Sequence, residues 1–198
     1  MVSKPIAFLD FDGTITTRDS FLEFIKYSKG HIAFYFGFLL HAPFLIAYKL
    51  GIISNQRAKE MILRYFFGKM TAEEFADCCE RFVREITPSL IRPKAAKEIR
   101  KLKEAGAEVV IVSASPVDWV GKWSESMKLP CIATNLVVRD NRITGHIDGK
   151  NCYGLEKVRR IKEAYDLDSY STVYCYGDTP GDKHMLSLGS RYFYKPFR

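Results

Sequence analysis

Three short apolar runs, "KPIAFLD" (4–10), "AEVVIVS" (107–113) and "STVYCYGD" (171–178), each end on a side chain able to do chemistry. Runs of this length with almost no polar interruption suit strands covered on both faces, as in a parallel sheet. Helical patterns separate them. Ile91, Ala95, Ile99 and Leu102 share one helical face with Gly106 placed to end it, and a further helix spans about 154–166. "RYFYKPF" near the end reads as a fourth strand. Strands alternating with helices predict an α/β fold, a parallel sheet wound on both faces. "TNLVVRDNRITGHIDG" alternates around Asp140-Asn141 and predicts an antiparallel hairpin attached to that sheet.

Residues 16–87 break the alternation and read as helices only, at 20–28, 31–42, 44–53, 56–67 and 71–86. The division that follows is a core made of 1–15 and 88–198, with an all-α cap, 16–87, inserted after the first strand. Such a cap would lie over the carboxyl edge of the sheet, where open α/β folds bind their ligands.

Chemistry-bearing residues converge on that edge. Asp10 and Asp12 close the first strand one residue apart and turn at once through Gly13-Thr14. Ser113 ends the second strand and Asp178 the third, with Asp182 four residues later at the start of a helix; Lys157 lies on the first turns of the preceding helix. Four carboxylates this close would repel strongly, and one would be driven to hold a proton. A hard divalent cation resolves the conflict. Mg²⁺ takes oxygen ligands at about 2.0–2.1 Å and combines one or two carboxylates with waters and a substrate phosphate. Ser113, Lys157 and the backbone N–H groups around Gly13 and Ala114 are then candidates to hold phosphate oxygens. "DFDGT" by itself could be no more than a capped turn. The full ordered set of Asp, Ser, Lys and Asp-x-x-x-Asp is far more specific.

Composition narrows the partners. The 198 residues carry a net charge of +7, which suits an anionic partner or simple solubility. No dense Lys/Arg block with interleaved aromatics points to nucleic acid. The five cysteines (Cys78, Cys79, Cys131, Cys152, Cys175) are odd in number and form no C-x-x-C, which predicts reduced thiols in a cytoplasm. "MVSKPIAFLD" lacks a secretory-signal profile, because its apolar stretch is short and ends in acid.

These motifs resemble those of the haloacid-dehalogenase-like (HAD) superfamily of phosphatases. "DFDGT" is similar to its first motif, Ser113 to its second, Lys157 to its third and "GDTPGD" to its fourth. A helical insertion between the first two motifs resembles the subfamily IB branch, that of phosphoserine phosphatase; "NRITGHIDG" is similar to it too. The resemblance implies a Rossmannoid three-layer core with a C1-type helical cap. It also implies Asp10 as nucleophile and Asp12 as the acid that protonates the leaving alcohol and later activates water. Mg²⁺ would be held by Asp10, the main-chain carbonyl of Asp12 and Asp178, with Asp182 orienting ligands from behind. Lys157 would offset charge on Asp10 and the phosphoryl group, with hydrogen bonds from Ser113 and Thr14. Relatives that cleave carbon–halogen bonds lack the second Asp, so Asp12 favours a phosphatase.

For the substrate, the resemblance divides. Phosphoserine phosphatases recognise the amino acid with a Glu nine residues after the nucleophile; here that residue is Asp19, which could equally cap the helix at 20–28. Ser-Ala-Ser and Thr-Pro-Gly stand where those enzymes have Ser-Gly-Gly and Gly-Ala-Asn, which points away from phosphoserine. "GHIAFYFGFLLHAPFLIAY" (30–48) contains no charged residue other than two His and approaches the roughly 20 residues of a bilayer span. A single crossing would strand Asp10 and Asp178 on opposite sides. Pro43 predicts instead two short helices folded as a hairpin. They form either a cap interior or dimer contact, or an interfacial patch over 30–53 that dips into lipid at the inner face of a membrane. An apolar cap of this kind, "SP" at 115–116 and "GLEKV" at 154–158 resemble bacterial phosphatidylglycerophosphate phosphatases of the same branch. The expected substrate is a phosphorylated small molecule or a lipid headgroup. The rival from another class is a non-catalytic module that binds membrane or protein through the cap.

Overall fold

A computed structural model describes residues 3–198. Its centre is β1 (Ile6–Asp10), buried along its whole length. β1 lies between β2 (Glu108–Pro116) and β6 (Val173–Gly177), with Phe8 opposite Val110 on one side and Cys175 on the other. β3 (Cys131–Thr134) and β7 (Arg191–Tyr194) complete a five-stranded parallel sheet in the order β3-β2-β1-β6-β7. Side chains along β1 alternate between the two faces, as strand geometry requires. Ala7 and Leu9 join one core with Ala95, Ile99 and Leu102 of helix α6 (Pro93–Glu104) and with Trp119 and Trp123 of α7 (Val117–Ser126). Ile6 and Phe8 join the other, with Ile161 of α8 (Leu155–Ala164) and Met185 and Leu186 of α9 (Lys183–Leu186). The sheet is therefore covered on both faces, and its strands are as apolar as that position demands.

Between β1 and β2 the chain is helical: α1 (Ser20–Leu40), α2 (Ala42–Lys49), α3 (Asn55–Phe67), α4 (Ala72–Glu85) and α5 (Thr87–Leu90). Gly30 breaks α1 with φ of 80°, a left-handed angle that glycine adopts without steric cost. An aromatic cluster ties these helices to α7. Phe24 packs on Phe67, Phe82 and Trp119 with ring centroids 4.6–5.2 Å apart, a spacing that adds to simple area burial.

Several sequence expectations need correction. The segment around Pro43 does not fold back as a hairpin: α1 and α2 meet at a 61° bend, because Pro43 occupies the first turn of α2, where its missing N–H costs nothing. α2 also stops at Lys49 rather than residue 53. Ile91 is not on helix α6; it forms an antiparallel bridge with Thr16. The hairpin, β4 (Leu136–Arg139) and β5 (Arg142–Ile147), turns through Asp140 and Asn141, both at positive φ, as read from sequence. It forms a sheet of its own and does not join the five strands; Ile143 N–H donates to Met70 O and Thr71 bridges Arg142. No single helix among the described residues is long and apolar enough to cross a membrane.

Candidate active site

The carboxyl ends of β1, β2 and β6 meet beneath the helices, at a cleft of about 290 Å³. The loop after β1 turns sharply at Gly13 (φ 79°), and a Cβ there would come within 2.5 Å of Asp178 Oδ2. Only glycine allows both the turn and this approach. Asp10 is buried at the strand end; Lys157 Nζ donates to its Oδ1 at 2.6 Å and Thr14 Oγ1 to its Oδ2 at 3.0 Å. Lys157 also donates to Asp182 Oδ1 (2.7 Å) and to the Val112 carbonyl (3.1 Å). Asp182 has both oxygens engaged, since Oδ2 accepts from Thr179 Oγ1 (2.8 Å), Thr179 N–H (3.0 Å) and Asp178 N–H (3.2 Å). Asp178 accepts from Thr14 at 3.4 Å and pairs with Arg198 at 2.5 Å.

Electrostatics show which way the site is unbalanced. Burial, joined by the charges of Asp182 and Asp12, pushes Asp10 up to about 8, although the Lys157 ammonium opposes the shift. Burial works against charge on Lys157 as well, but Asp10 and Asp182 outweigh it and hold the ammonium above its ordinary value. We take the pair as ionised, because a 2.6 Å contact with an ammonium strongly favours the carboxylate. Asp178 is also raised, first by burial and then by Asp182, while Arg198 pulls the other way. Lys157 and the half-exposed Arg198 together set two positive charges against three buried acids. Carboxylate oxygens of Asp10, Asp178 and Asp182 lie within 4.8 Å of one another, a donor set of hard oxygens that fits a divalent cation. Asp182 already accepts four hydrogen bonds, against two each at Asp10 and Asp178, so Asp10 and Asp178 are the better ligands.

The remaining residues singled out in the sequence stand around this cluster. Asp12 stands outside the three-acid cluster; its carboxylate accepts from Ser20 N–H (2.7 Å) and Ser113 Oγ (3.2 Å). Ser113 in turn accepts from Ser115 N–H, and Gly13 N–H donates to Thr16 Oγ1. Asp19 does cap α1, accepting from Leu22 N–H at 3.1 Å, and it also lines the cleft. Its side chain stays exposed at the cleft mouth, where partial loss of hydration and the charge of Asp12 raise its carboxyl above the ordinary value.

Two participants escaped the sequence reading. Lys59 reaches from α3 across the cleft to donate to the Ala114 carbonyl at 2.7 Å, and its ammonium sits 5.4 Å from the centre of the Phe21 ring. Burial lowers its pKa against the pull of Asp19 and Asp12. Arg198 reaches Asp178 from the far end of the chain. Neither sits in a motif, so only the tertiary fold could reveal them.

Residues 7–187 match the family model of haloacid dehalogenase-like hydrolases. The chain belongs to this family. Protein CicA of Caulobacter vibrioides is 37% identical over 191 residues, covering 96% of this chain and 85% of that protein. A "Probable phosphatase" of Mycobacterium tuberculosis is 27% identical over 196 residues, covering 93% and 66%. Among solved structures, a Bordetella pertussis protein of unknown function superposes with a TM-score of 0.83 at 20% identity, covering 96% of this hydrolase and 89% of that chain. A phospho-aspartyl intermediate analogue of phosphoserine phosphatase superposes at 0.69 with 16% identity, covering 97% and 86%. At such identities the structures speak for the hydrolase fold alone.

Proposed function

We propose that this hydrolase is a Mg²⁺-dependent phosphatase that cleaves a phosphate monoester through a phospho-aspartate on Asp10, with a lipid headgroup such as phosphatidylglycerophosphate as substrate. The observation that carries this reading is the setting of Asp10. It is a buried strand-end carboxylate held by Lys157 and Thr14, next to Asp178 and within reach of a common cation.

In the first half-reaction a carboxylate oxygen of Asp10 attacks phosphorus in line, the bond to the ester oxygen breaks, and Asp12 gives that oxygen its proton. In the second, Asp12 takes a proton from water, whose oxygen attacks the phosphorus; inorganic phosphate leaves and the Asp10 carboxylate is restored. Asp12 suits both tasks because Ser20 N–H and Ser113 Oγ fix its direction while it remains only half-buried. Lys157, Ser113, Thr14 and the backbone at Gly13 and Ala114 would hold phosphoryl oxygens. Mg²⁺, bound by Asp10, Asp178 and the Asp12 carbonyl, would supply neutralisation of the charge on phosphoryl oxygens, usually the largest single contribution to such reactions.

The cleft wall supports an amphiphilic leaving group. Besides the acids it is lined by Phe21, Leu22, Phe38, Leu45 and Ile62. A second reading, phosphoserine or another small metabolite, draws on Asp19 at the cleft, a carboxylate able to receive a substrate ammonium. A phosphate-release assay separates them. With Mg²⁺, phosphatidylglycerophosphate in detergent micelles is expected to be cleaved faster than phosphoserine; chelation of Mg²⁺ or Asp10→Asn abolishes release from both. Absence of release from every monoester tried would refute the enzyme reading.

A further inference from the structure

The second half of α1 and all of α2 invert the usual burial pattern. Ile32, Tyr35, Phe36, Leu39, Ile46 and Leu50 stand 57–88% exposed. Scattered exposed apolar residues need no explanation, but a contiguous apolar ridge does. The inner side of the same two helices supplies Phe38, Leu45 and Tyr48 to the catalytic cleft, so the ridge and the cleft wall are two sides of one element. Charge is distributed to match. Residues 24–72 contain seven Lys or Arg and one acid, Glu60; Lys26 is paired with Glu23 just outside this segment and Lys59 points into the cleft, which leaves five cations for the outer surface. Glu60 is itself engaged, accepting from Ile147 N–H. Lys49, Arg57, Arg64 and Lys69 are exposed, and Arg57 and Arg64 border a cleft with Phe44, Ile53 and Met61.

We infer that residues 32–52 form a docking face that seats in the headgroup and acyl boundary of an anionic membrane. The apolar ridge would enter the interface and the surrounding cations would meet anionic headgroups. The 61° bend between α1 and α2 makes the pair unsuited to crossing and suited to lying in the surface. Seated this way, a lipid could present its phosphate to Asp10 along Phe38, Leu45 and Tyr48 while its chains stay in the bilayer. A second copy of the chain covering the ridge would account for the apolar residues, but not for the excess of like charge on this segment, which would repel its own image.

The test is co-sedimentation of the full chain with vesicles of phosphatidylcholine alone and of an equimolar mixture with phosphatidylglycerol. The chain should pellet with the mixture and not with phosphatidylcholine, and added salt should release it. Phe36→Ser combined with Leu39→Ser should weaken binding about tenfold or more, and Lys49→Gln about fivefold. Thermal midpoint and hydrolysis of a water-soluble aryl phosphate should be unchanged in these variants. Asp10→Asn should bind vesicles like the parent chain, so loss of the catalytic reading leaves this inference standing and the reverse also holds. Failure of the parent chain to pellet with the mixture overturns the inference. So does undiminished binding by the serine variant, or a parent dimer that the serine variant dissolves without any vesicle binding.

Discussion

The sheet edge and the α1–α2 ridge are opposite departures from ordinary burial. At the edge, Asp10, Lys157, Asp178 and Asp182 are at most 5% exposed. On the ridge, Ile32 is 88% exposed and Leu39 73%. Buried charges are costly unless paired and hydrogen-bonded; every acid at the edge accepts hydrogen bonds, but the acids outnumber their cations. Exposed apolar side chains are not penalised in the same way, yet they leave unused the hydrophobic free energy that a partner would recover. The comparison teaches that the edge is complete within the chain except for a cation, whereas the ridge is complete only against something else.

Substitutions can break each half of the comparison separately. The largest effect belongs to the edge: Asp10→Asn should lower turnover on the order of 10⁴-fold or more, and Asp12→Asn about 10²–10⁴-fold, with the thermal midpoint of the second little changed. Steady-state phosphate release and calorimetry on the same samples check both. Lys157→Met leaves two buried acids without their cation and should cost about 3–5 kcal/mol. For a chain of this size that is roughly 10 °C in midpoint. Millimolar Mg²⁺ should restore part of it, whereas a shift below 2 °C would mean the acids are not ionised together.

Core and ridge can then be compared directly. Phe24→Ala, within the aromatic cluster, should destabilise by about 3–5 kcal/mol, while Leu39→Ser on the ridge should stay within about 0.5 kcal/mol. Urea unfolding of the two variants measures the contrast, and a large cost for Leu39→Ser would show that the ridge is covered within the folded chain.

The smallest expected effect concerns pH. Glu156 is held down to about 2, chiefly by its hydrogen bonds from Arg159 and Arg160. A depressed carboxyl stabilises the fold fully above its ordinary value, near 4.5, and this contribution is lost as pH falls from there toward 2. Glu156→Gln should flatten that part of the stability curve, and equal acid sensitivity in both proteins would remove Glu156 from the account.

Much of this was legible from sequence because it is local. The central strands show as apolar runs, Gly106 marks a helix end, and Asp140-Asn141 marks a turn; all three residues adopt positive φ. The acids could be placed because parallel strands end at one edge. β3 escaped because four residues are too few to show a period, and α7 because its run is short and contains a glycine. Lys59, Arg198 and the docking of the hairpin on the helices depend on contacts between residues 55, 20 and 71 positions apart (Lys59 with Ala114, Arg198 with Asp178, Thr71 with Arg142), for which no local pattern exists. Exposure of the ridge was equally invisible, since an apolar stretch reads the same whether it faces a core or water.

The most direct test of the central claim is chemical trapping of Asp10. The protein would be mixed with Mg²⁺ and a phosphate monoester, quenched in acid and reduced with borohydride, which converts an aspartyl phosphate to homoserine. Peptide mass spectrometry should then find homoserine at position 10 and nowhere else, dependent on both substrate and Mg²⁺. Phosphate release at full rate with an unmodified Asp10, or with the mark on another aspartate, would contradict the account.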